Sequence, residues 1–557
     1  MYKPGILVGR GLAVLTAVAA LSACGSSSST SSSSTKSSTA GTSTGGSAGT
    51  VTVAEGTAPD YLDPGLGYTT QAANGDWLAY TGLYTYAHQT GVGGGAVIPG
   101  LATALPQISA DGRTYTMTLR SGLTYSNGTP VKASDFAYSI QRSIKLNWGG
   151  KSFYTTNIVG ADAFDKGTAK TISGIKTDDA TGKITVTLLG AYGAFPNVLA
   201  FPSSGLVPTG TPISNLTNHP PPGVGPYIIK NVVPNQSFSV VRNPNWKPLP
   251  GIAAGHVDVN VKITSNTNTE AEMVLNGTAD AFDWGDTVPP ALVSQIKAKA
   301  AGRYNEEPSV STFYFFLNTK VKPFNSLAAR QAVQYAVDRQ AIVRLSSGTI
   351  EPGCYFLPPG MIGHPTAPCP YGDTPNLAKA KALITQAGLA GTPVTVWGQM
   401  RSPRREYVDY YTSVLNQIGF KATEKILADA QFFPTIGNLK LNPQTGFADW
   451  NQDFPNPSDF YLLLDAKSIQ QTNNQNFSQV NDPKVQSELA ALNKVPATQL
   501  QSVAARWSTL DEYVAKQAYF NVYGSQTHPK FLSDRIDYAS AVFHPVYGND
   551  WSSWQLK

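Results

Sequence analysis

The run Asp111-Gly112-Arg113-Thr114-Tyr115-Thr116-Met117-Thr118-Leu119-Arg120-Ser121-Gly122-Leu123-Thr124-Tyr125-Ser126-Asn127-Gly128-Thr129-Pro130-Val131-Lys132-Ala133-Ser134-Asp135-Phe136 decides how this chain is read. Tyr115, Met117 and Leu119 alternate with threonines, the period of a half-buried strand. Asp111-Gly112 before it and Asn127-Gly128-Thr129-Pro130 after it are turns, each residue supplying the backbone freedom or fixed φ that its position needs. A helix is predicted to begin at Ser134-Asp135, residue types that cap helix starts. Strand, turn, turn and helix in one stretch imply a mixed α/β fold.

Working outward, the same pattern returns. Ile184, Val186 and Leu188 alternate after the Thr181-Gly182 turn, and Val257, Val259, Val261 and Ile263 form another strand pattern. Beyond Thr374-Pro375 the period lengthens: Leu377, Ala380, Ile384 and Ala387 share a helix face, with Gly388 where a C-terminal glycine belongs. Asn325 to Leu345 reads as two helices, the first turning Val333, Ala336 and Val337 inward and the second capped by Asp338.

The first residues are a targeting signal. Lys3 and Arg10 precede the apolar run Gly11 to Ala20, and Leu21-Ser22-Ala23-Cys24 follows. That run is shorter than the roughly 20 apolar residues a membrane span requires. Residues 25–49 are serine, threonine, glycine and alanine apart from Lys36 and cannot bury enough apolar surface to fold. They form a tether with an r.m.s. reach of roughly 25 to 30 Å.

Leu-Ser-Ala-Cys resembles the bacterial lipobox. The resemblance implies cleavage before Cys24 and a diacylglycerol on its sulfur, with two or three acyl chains giving stable anchorage. Removing residues 1–23 leaves 534 of 557, enough for about three domains or one large multi-lobed unit. The removed piece carries two of the 41 basic residues and no acidic ones, so the mature chain has 39 against 36. So even a balance excludes a nucleic-acid partner. With Cys24 lipidated, Cys354 and Cys369 remain in an exported chain and are expected to be bridged.

Three further segments join the opening one. They are Gly225-Pro226-Tyr227 with Arg242-Asn243-Pro244-Asn245-Trp246; Phe316-Leu317-Asn318-Thr319 with Pro323-Phe324 and Tyr335-Ala336-Val337-Asp338-Arg339; and Trp450-Asn451-Gln452-Asp453-Phe454-Pro455-Asn456-Pro457-Ser458-Asp459-Phe460. Together, in this order, they resemble the extracellular solute-binding proteins of family 5, which serve peptide and nickel importers.

The resemblance implies a two-lobed periplasmic-binding-protein-like α/β fold of the large type II cluster, with an extra domain and mixed sheets joined by hinge strands. On that template the first lobe takes residues 50–83, 210–309 and 523–557. A small domain takes 84–209, and the second lobe takes 310–522. Phe313 to Leu317 and Tyr519 to Tyr523 are the expected hinge-side strands. The function implied is capture of a short peptide by hinge closure, with no chemical step and no cofactor, and delivery to ABC permease subunits. The protein is expected as a monomer, lipid-anchored on the outer face of the cytoplasmic membrane.

A zwitterionic peptide brings an ammonium and a carboxylate, each of which must meet an opposite charge once desolvated. In peptide-binding relatives the acid lies just after the tryptophan of the last segment, which here is Asp453; a turn role is the alternative. Arg401 best matches the carboxylate-binding arginine of dipeptide-binding relatives, with Arg404 and Arg405 beside it, and a guanidinium fork suits that task. A solvated helix start explains the same cluster. Trp450 and Phe454 are candidate apolar walls, or core.

Three other readings stand, one of them a surface adhesin or signalling decoy on the same scaffold, which the sequence does not separate from an importer component. The same fold takes oligosaccharides, opines, haem or metal chelates, although six histidines without ligand spacing argue against a metal. A lipid-anchored hydrolase is the third, but Gly41-Thr42-Ser43-Thr44-Gly45 lies in the tether with no strand before it. Gly91-Val92-Gly93-Gly94-Gly95-Ala96 has no helix to follow, because Pro99-Gly100 interrupts.

Overall fold

The alternating segments pair into three larger sheets, with three two-stranded ones beside them, in the computed structural model, which describes residues 49–557. The signal segment, Cys24 and nearly all of the tether lie outside the described residues.

The first sheet has five strands in the order Ala281–Phe282, Thr50–Glu55, Asp258–Ile263, Ser237–Arg242 and Tyr227–Val233. Thr50–Glu55 runs parallel to both neighbours, and the remaining pairs are antiparallel. The second has six: Ile350–Pro352, Phe520–Gln526, Ser311–Leu317, Thr445–Asn451, Pro393–Gln399 and Lys421–Leu427. Its central strands Ser311–Leu317 and Phe520–Gln526 are buried along their whole length, and their apolar, aromatic-rich sequences reflect it. A four-stranded antiparallel sheet holds Gln107–Ile108, Thr114–Thr118, Lys183–Thr187 and Ile175–Asp178.

The chain crosses between the first two sheets twice, side by side. Tyr304–Glu307 pairs antiparallel with His528–Phe531, and these lead directly into and out of the central strands of the second sheet. The hinge-side segments read from sequence are these central strands. Phe520–Gln526 stays in the second sheet to its last residue, where Gln526 pairs with Ile350 and its N–H reaches the Ser311 hydroxyl at 3.1 Å. Residues 523–526, expected with the first lobe, therefore pair with the second sheet.

The opening stretch folds much as its turns dictate. Gly112 and Gly128 take φ of +68° and +84°, a region that favours glycine. The helix spans Ala133–Lys145, one residue ahead of the expected start, and Asp135 rather than Ser134 closes its first turn. The Asp135 carboxylate accepts from the Lys132 N–H at 2.9 Å and the Tyr125 hydroxyl at 2.9 Å. The predicted helices are Leu327–Ala336, Arg339–Leu345 and Leu377–Gln386; the Asp338 side chain caps the second, and Gly388 stands just beyond the third at φ +64°. Gly91–Gly94 forms a single helical turn.

One hydrophobic core runs through all three sheets, from Val51 to Trp554, and a smaller one lies under Ala54, Phe282 and Phe531. Cys354 and Cys369 are bonded, with Cα atoms 5.9 Å apart. Closing a loop of this size removes unfolded-state entropy worth about 3 kcal/mol. Replacing both cysteines by serine is expected to lower the urea midpoint accordingly, with the slope of the transition little changed; an unmoved midpoint would show the bridge to be energetically idle.

Among the described residues no helix is long and apolar enough to cross a membrane, and no group of three or more histidine, cysteine, aspartate or glutamate side chains is placed to hold a metal ion.

Candidate functional site

The ends of strands from the first two sheets face each other across a cavity of about 1000 Å³, solvent-connected space included. On the first sheet's side the chain leaves Thr50–Glu55, turns through Thr57 and Asp60, and enters the helix Thr70–Ala79. The Asp60 carboxylate fixes this turn, accepting from the N–H groups of Tyr68 and Thr69 and from the Thr69 hydroxyl. Trp284 and Tyr547 complete that wall. On the second sheet's side the lining comes from Gln399 and Arg401, the helix Asp429–Ile436, and the strand end from Asp449 to Asp453.

Asp453 lies at the rim between the two walls. The Tyr68 hydroxyl, from the first sheet's side, donates to its Oδ2 at 3.0 Å. Burial pushes its carboxyl up to about 7, against the Tyr68 hydrogen bond, which pulls the other way. Asp459, fully buried behind it, organises the loop: its carboxylate accepts from the Asp453 N–H at 2.8 Å, the Phe454 N–H at 3.4 Å and the Trp450 indole at 3.1 Å. Asp459 is itself held well above the ordinary carboxyl range by burial and by the adjacent Asp453 charge.

The structure gathers four of the five site candidates at the cavity. Trp450 lines it, set edge-on to Tyr68 at 5.7 Å between ring centroids. Arg404 reaches it but is tied down: it donates to Asp449 Oδ2 and Gln399 Oε1, both at 2.7 Å, and lies over the Phe447 ring at 4.5 Å. Arg401 extends across the cavity to the first sheet's side, where its guanidinium meets Asp286 and the Thr57 hydroxyl. Asp429 Oδ1 stands 3.8 Å from its Nε. Burial, then the neighbouring Arg404, draws Arg401 down to about 10, so it stays cationic at neutral pH.

Phe454 is the correction. It is fully buried between Phe153 and Phe201, at 5.7 and 5.8 Å, and does not line the cavity. Arg405 is also elsewhere, paired with Asp409 and Glu424 on the outer side of its helix.

The sequence reading missed Tyr68, Asp286 and the positioning role of Asp459. Tyr68 stands 385 residues from Asp453, and no local pattern joins the two. Asp459 lay inside a quoted segment; an aspartate following Asn456-Pro457 at a helix start was the available signal.

A last feature is backbone. Thr445–Asn451 pairs with Ser311–Leu317 along its whole length on one side. On the other side it meets Pro393–Gln399 only at Thr445 and Gly446. From Phe447 onward that edge has no strand partner among the described residues, and its end runs along the cavity beside Asp453. An unpaired edge is a template for an added extended segment.

Comparison with known proteins agrees with this architecture. The probable D,D-dipeptide-binding periplasmic protein DdpA of Escherichia coli K12 is 24% identical over 432 residues, 75% of this chain and 78% of that protein. The glutathione-binding protein GsiB of Escherichia coli O1:K1 is 26% identical over 325 residues, and the match spans 57% of this chain and little more than half, 58%, of that protein. Haemophilus influenzae OppA, solved in complex with RPPGFSPFR, superposes with a TM-score of 0.79 at 17% identity, covering 91% of this chain and 98% of that one. The description of bacterial extracellular solute-binding proteins, family 5, matches residues 96–472. Over that span this chain belongs to the family 5 extracellular solute-binding proteins.

Proposed function

We propose that this protein captures short peptides between its two lobes and hands them to an ABC permease. The observation that carries the reading is the half-buried carboxylate of Asp453 beside the unpaired edge of Thr445–Asn451, inside a cavity walled by both sheets. An extended peptide adds to such an edge through its backbone, which gives affinity without reading side chains, while its ammonium meets the acid. Relatives named for dipeptide and glutathione binding support the same class of ligand.

Ligand that contacts both walls favours the closed arrangement over an open one, and the paired crossings at Tyr304–Glu307 and His528–Phe531 are the place for the hinge. The lobes then follow the sheets: residues 50–83, 210–309 and the chain after Gln526 on one side, and 310–526 on the other, with 84–209 as a small domain. Diacylglycerol on Cys24 tethers the protein to the membrane beside its permease. Mass spectrometry of small molecules released on denaturing the purified protein tests the reading; peptides are expected, and a sugar or metal chelate as the retained solute would replace it.

The carboxyl of Asp453 gives the capture a pH dependence. In the empty cavity it titrates near 7. A bound ammonium favours the ionised form, so its pKa in the complex falls, and binding below 7 must expel a proton. Affinity is therefore expected to be highest near pH 7 to 8, to weaken by up to about tenfold per unit as pH falls through 7, and to weaken again above about 8, where the peptide's own α-amino group (free pKa about 7.7 to 8.0) loses its proton. Calorimetry in buffers of different ionisation enthalpy reads the released proton directly; affinity independent of pH from 8 to 5 would contradict the assignment.

A further inference from the structure

Among the described residues that line the cavity, the only cationic side chains are Arg401 and Arg404. Neither is free. Arg404 is held by Asp449 at 2.7 Å and by Gln399 on the same sheet. Arg401 is held by Asp286, which is fully buried on the first sheet's side and also accepts from the Thr57 hydroxyl at 2.8 Å. The position at which an arginine would grip a ligand carboxylate is thus filled by a carboxylate of the protein.

The acidic side of the balance is in surplus. Asp453 faces the cavity with Tyr68 as its one side-chain donor among the described residues, and Asp429 Oδ1, buried 3.8 Å from Arg401 Nε, has no hydrogen-bond partner. Behind Asp286 lies Glu270, fully buried, its carboxyl held well above the ordinary range by burial, so this corner offers an entering anion no further cation beside Arg401. A ligand carboxylate entering here must either go without a cation or take Arg401 from Asp286, leaving Asp286 buried and uncompensated.

From this we infer that the cavity selects solutes that present a cation and no free carboxylate, such as peptides whose C-terminus is masked as an amide. The inference rests on the peptide reading above and narrows it. An ammonium gains Asp453 and Asp429, while a masked terminus asks nothing of the two arginines. Side-chain pockets and the free backbone edge are unaffected, because neither reads charge.

The test is a matched competition on the full chain purified in detergent: short peptides, each supplied as free acid and as C-terminal amide, with binding read by native mass spectrometry and calorimetry. The amides are expected to bind about tenfold or more tightly than the acids, the scale of one unmet charge. In Asp286→Asn, where Arg401 is released, the gap is expected to close or reverse. Acids that bind the wild type as tightly as amides overturn the inference and leave peptide capture standing; so does an unchanged gap in a folded Asp286→Asn chain. If neither form binds, or if N-acetylated peptides bind as well as those with a free amine, the peptide reading itself fails and this inference with it. Should Asp286→Asn not fold, the wild-type comparison decides alone.

Discussion

Asp453→Asn is expected to weaken peptide binding by about thirtyfold to several thousandfold, because removing one partner of a desolvated charge pair costs about 2 to 5 kcal/mol. Asparagine is chosen for its shape. Its side-chain oxygen still accepts the Tyr68 hydroxyl that now sits 3.0 Å from Oδ2, so the contact between the two walls survives and only the charge is lost. The fold should not suffer. A carboxyl that burial pushes up to about 7 costs the folded chain stability progressively as pH rises from the unfolded-state value of about 3.9 to 7, and in full above that, and the amide removes this penalty. The expected signature is a large fall in affinity by calorimetry, an unchanged or slightly raised thermal midpoint, and disappearance of the pH dependence between 8 and 5. Retained affinity would take Asp453 out of the binding site and leave it a turn residue held by Tyr68. Tyr68→Phe separates the two roles further: it removes the hydrogen bond that favours the carboxylate, so the pH at which affinity begins to fall should move upward while binding at high pH changes little.

The legible parts of this molecule were those written locally. Period-2 runs at 115–119, 184–188 and 257–263 became strands because one face of each had to be buried, and turn glycines marked where they ended. The helix pair at 327–345 and its Asp338 cap were equally local. Boundaries were harder, since the strand Phe520–Gln526 continues into its sheet through Gln526 by pairing with residues far upstream. In the site, Asp453, Trp450, Arg401 and Arg404 came from two segments of one sheet, whose neighbouring strand ends converge at the cavity. Phe454 failed for a geometric reason. It lies in the bend beyond the strand end at Asn451, where the chain turns away from the cavity and its ring packs between Phe153 and Phe201. The partners supplied by the other wall, Tyr68, Thr57 and Asp286, had no sequence signal, because only the folded hinge brings them opposite Arg401 and Asp453.

The second large effect lies away from the cavity. Arg142 and Asp63 form a doubly hydrogen-bonded pair at 2.6 and 2.7 Å, with side chains 1% and 0% exposed. The surroundings are saturated: Arg142 also donates to the carbonyls of Pro212 and Ser214, while Asp63 accepts the N–H groups of Gly65 and Leu216. The pair thereby joins the helix Ala133–Lys145 to the loop after the first strand and to the segment around 212–216. Arg142→Met keeps the bulk and leaves Asp63 buried without its cation, which is expected to destabilise the fold by about 3 to 5 kcal/mol. Replacing both partners, Arg142→Met with Asp63→Leu, removes the stranded charge and should recover a large part of that loss. Chemical denaturation of the two variants and the parent measures both steps; a single variant as stable as the parent, or a double variant no better than the single, would show that the pair does not hold these segments together. The consequence reaches function through the chain itself. The loop that begins at Asp63 leads within a few residues to Tyr68 and Thr69 on the cavity wall. Loosening its far end should therefore lower ligand affinity in the single variant while the chain is still folded, and the double variant should restore affinity together with stability.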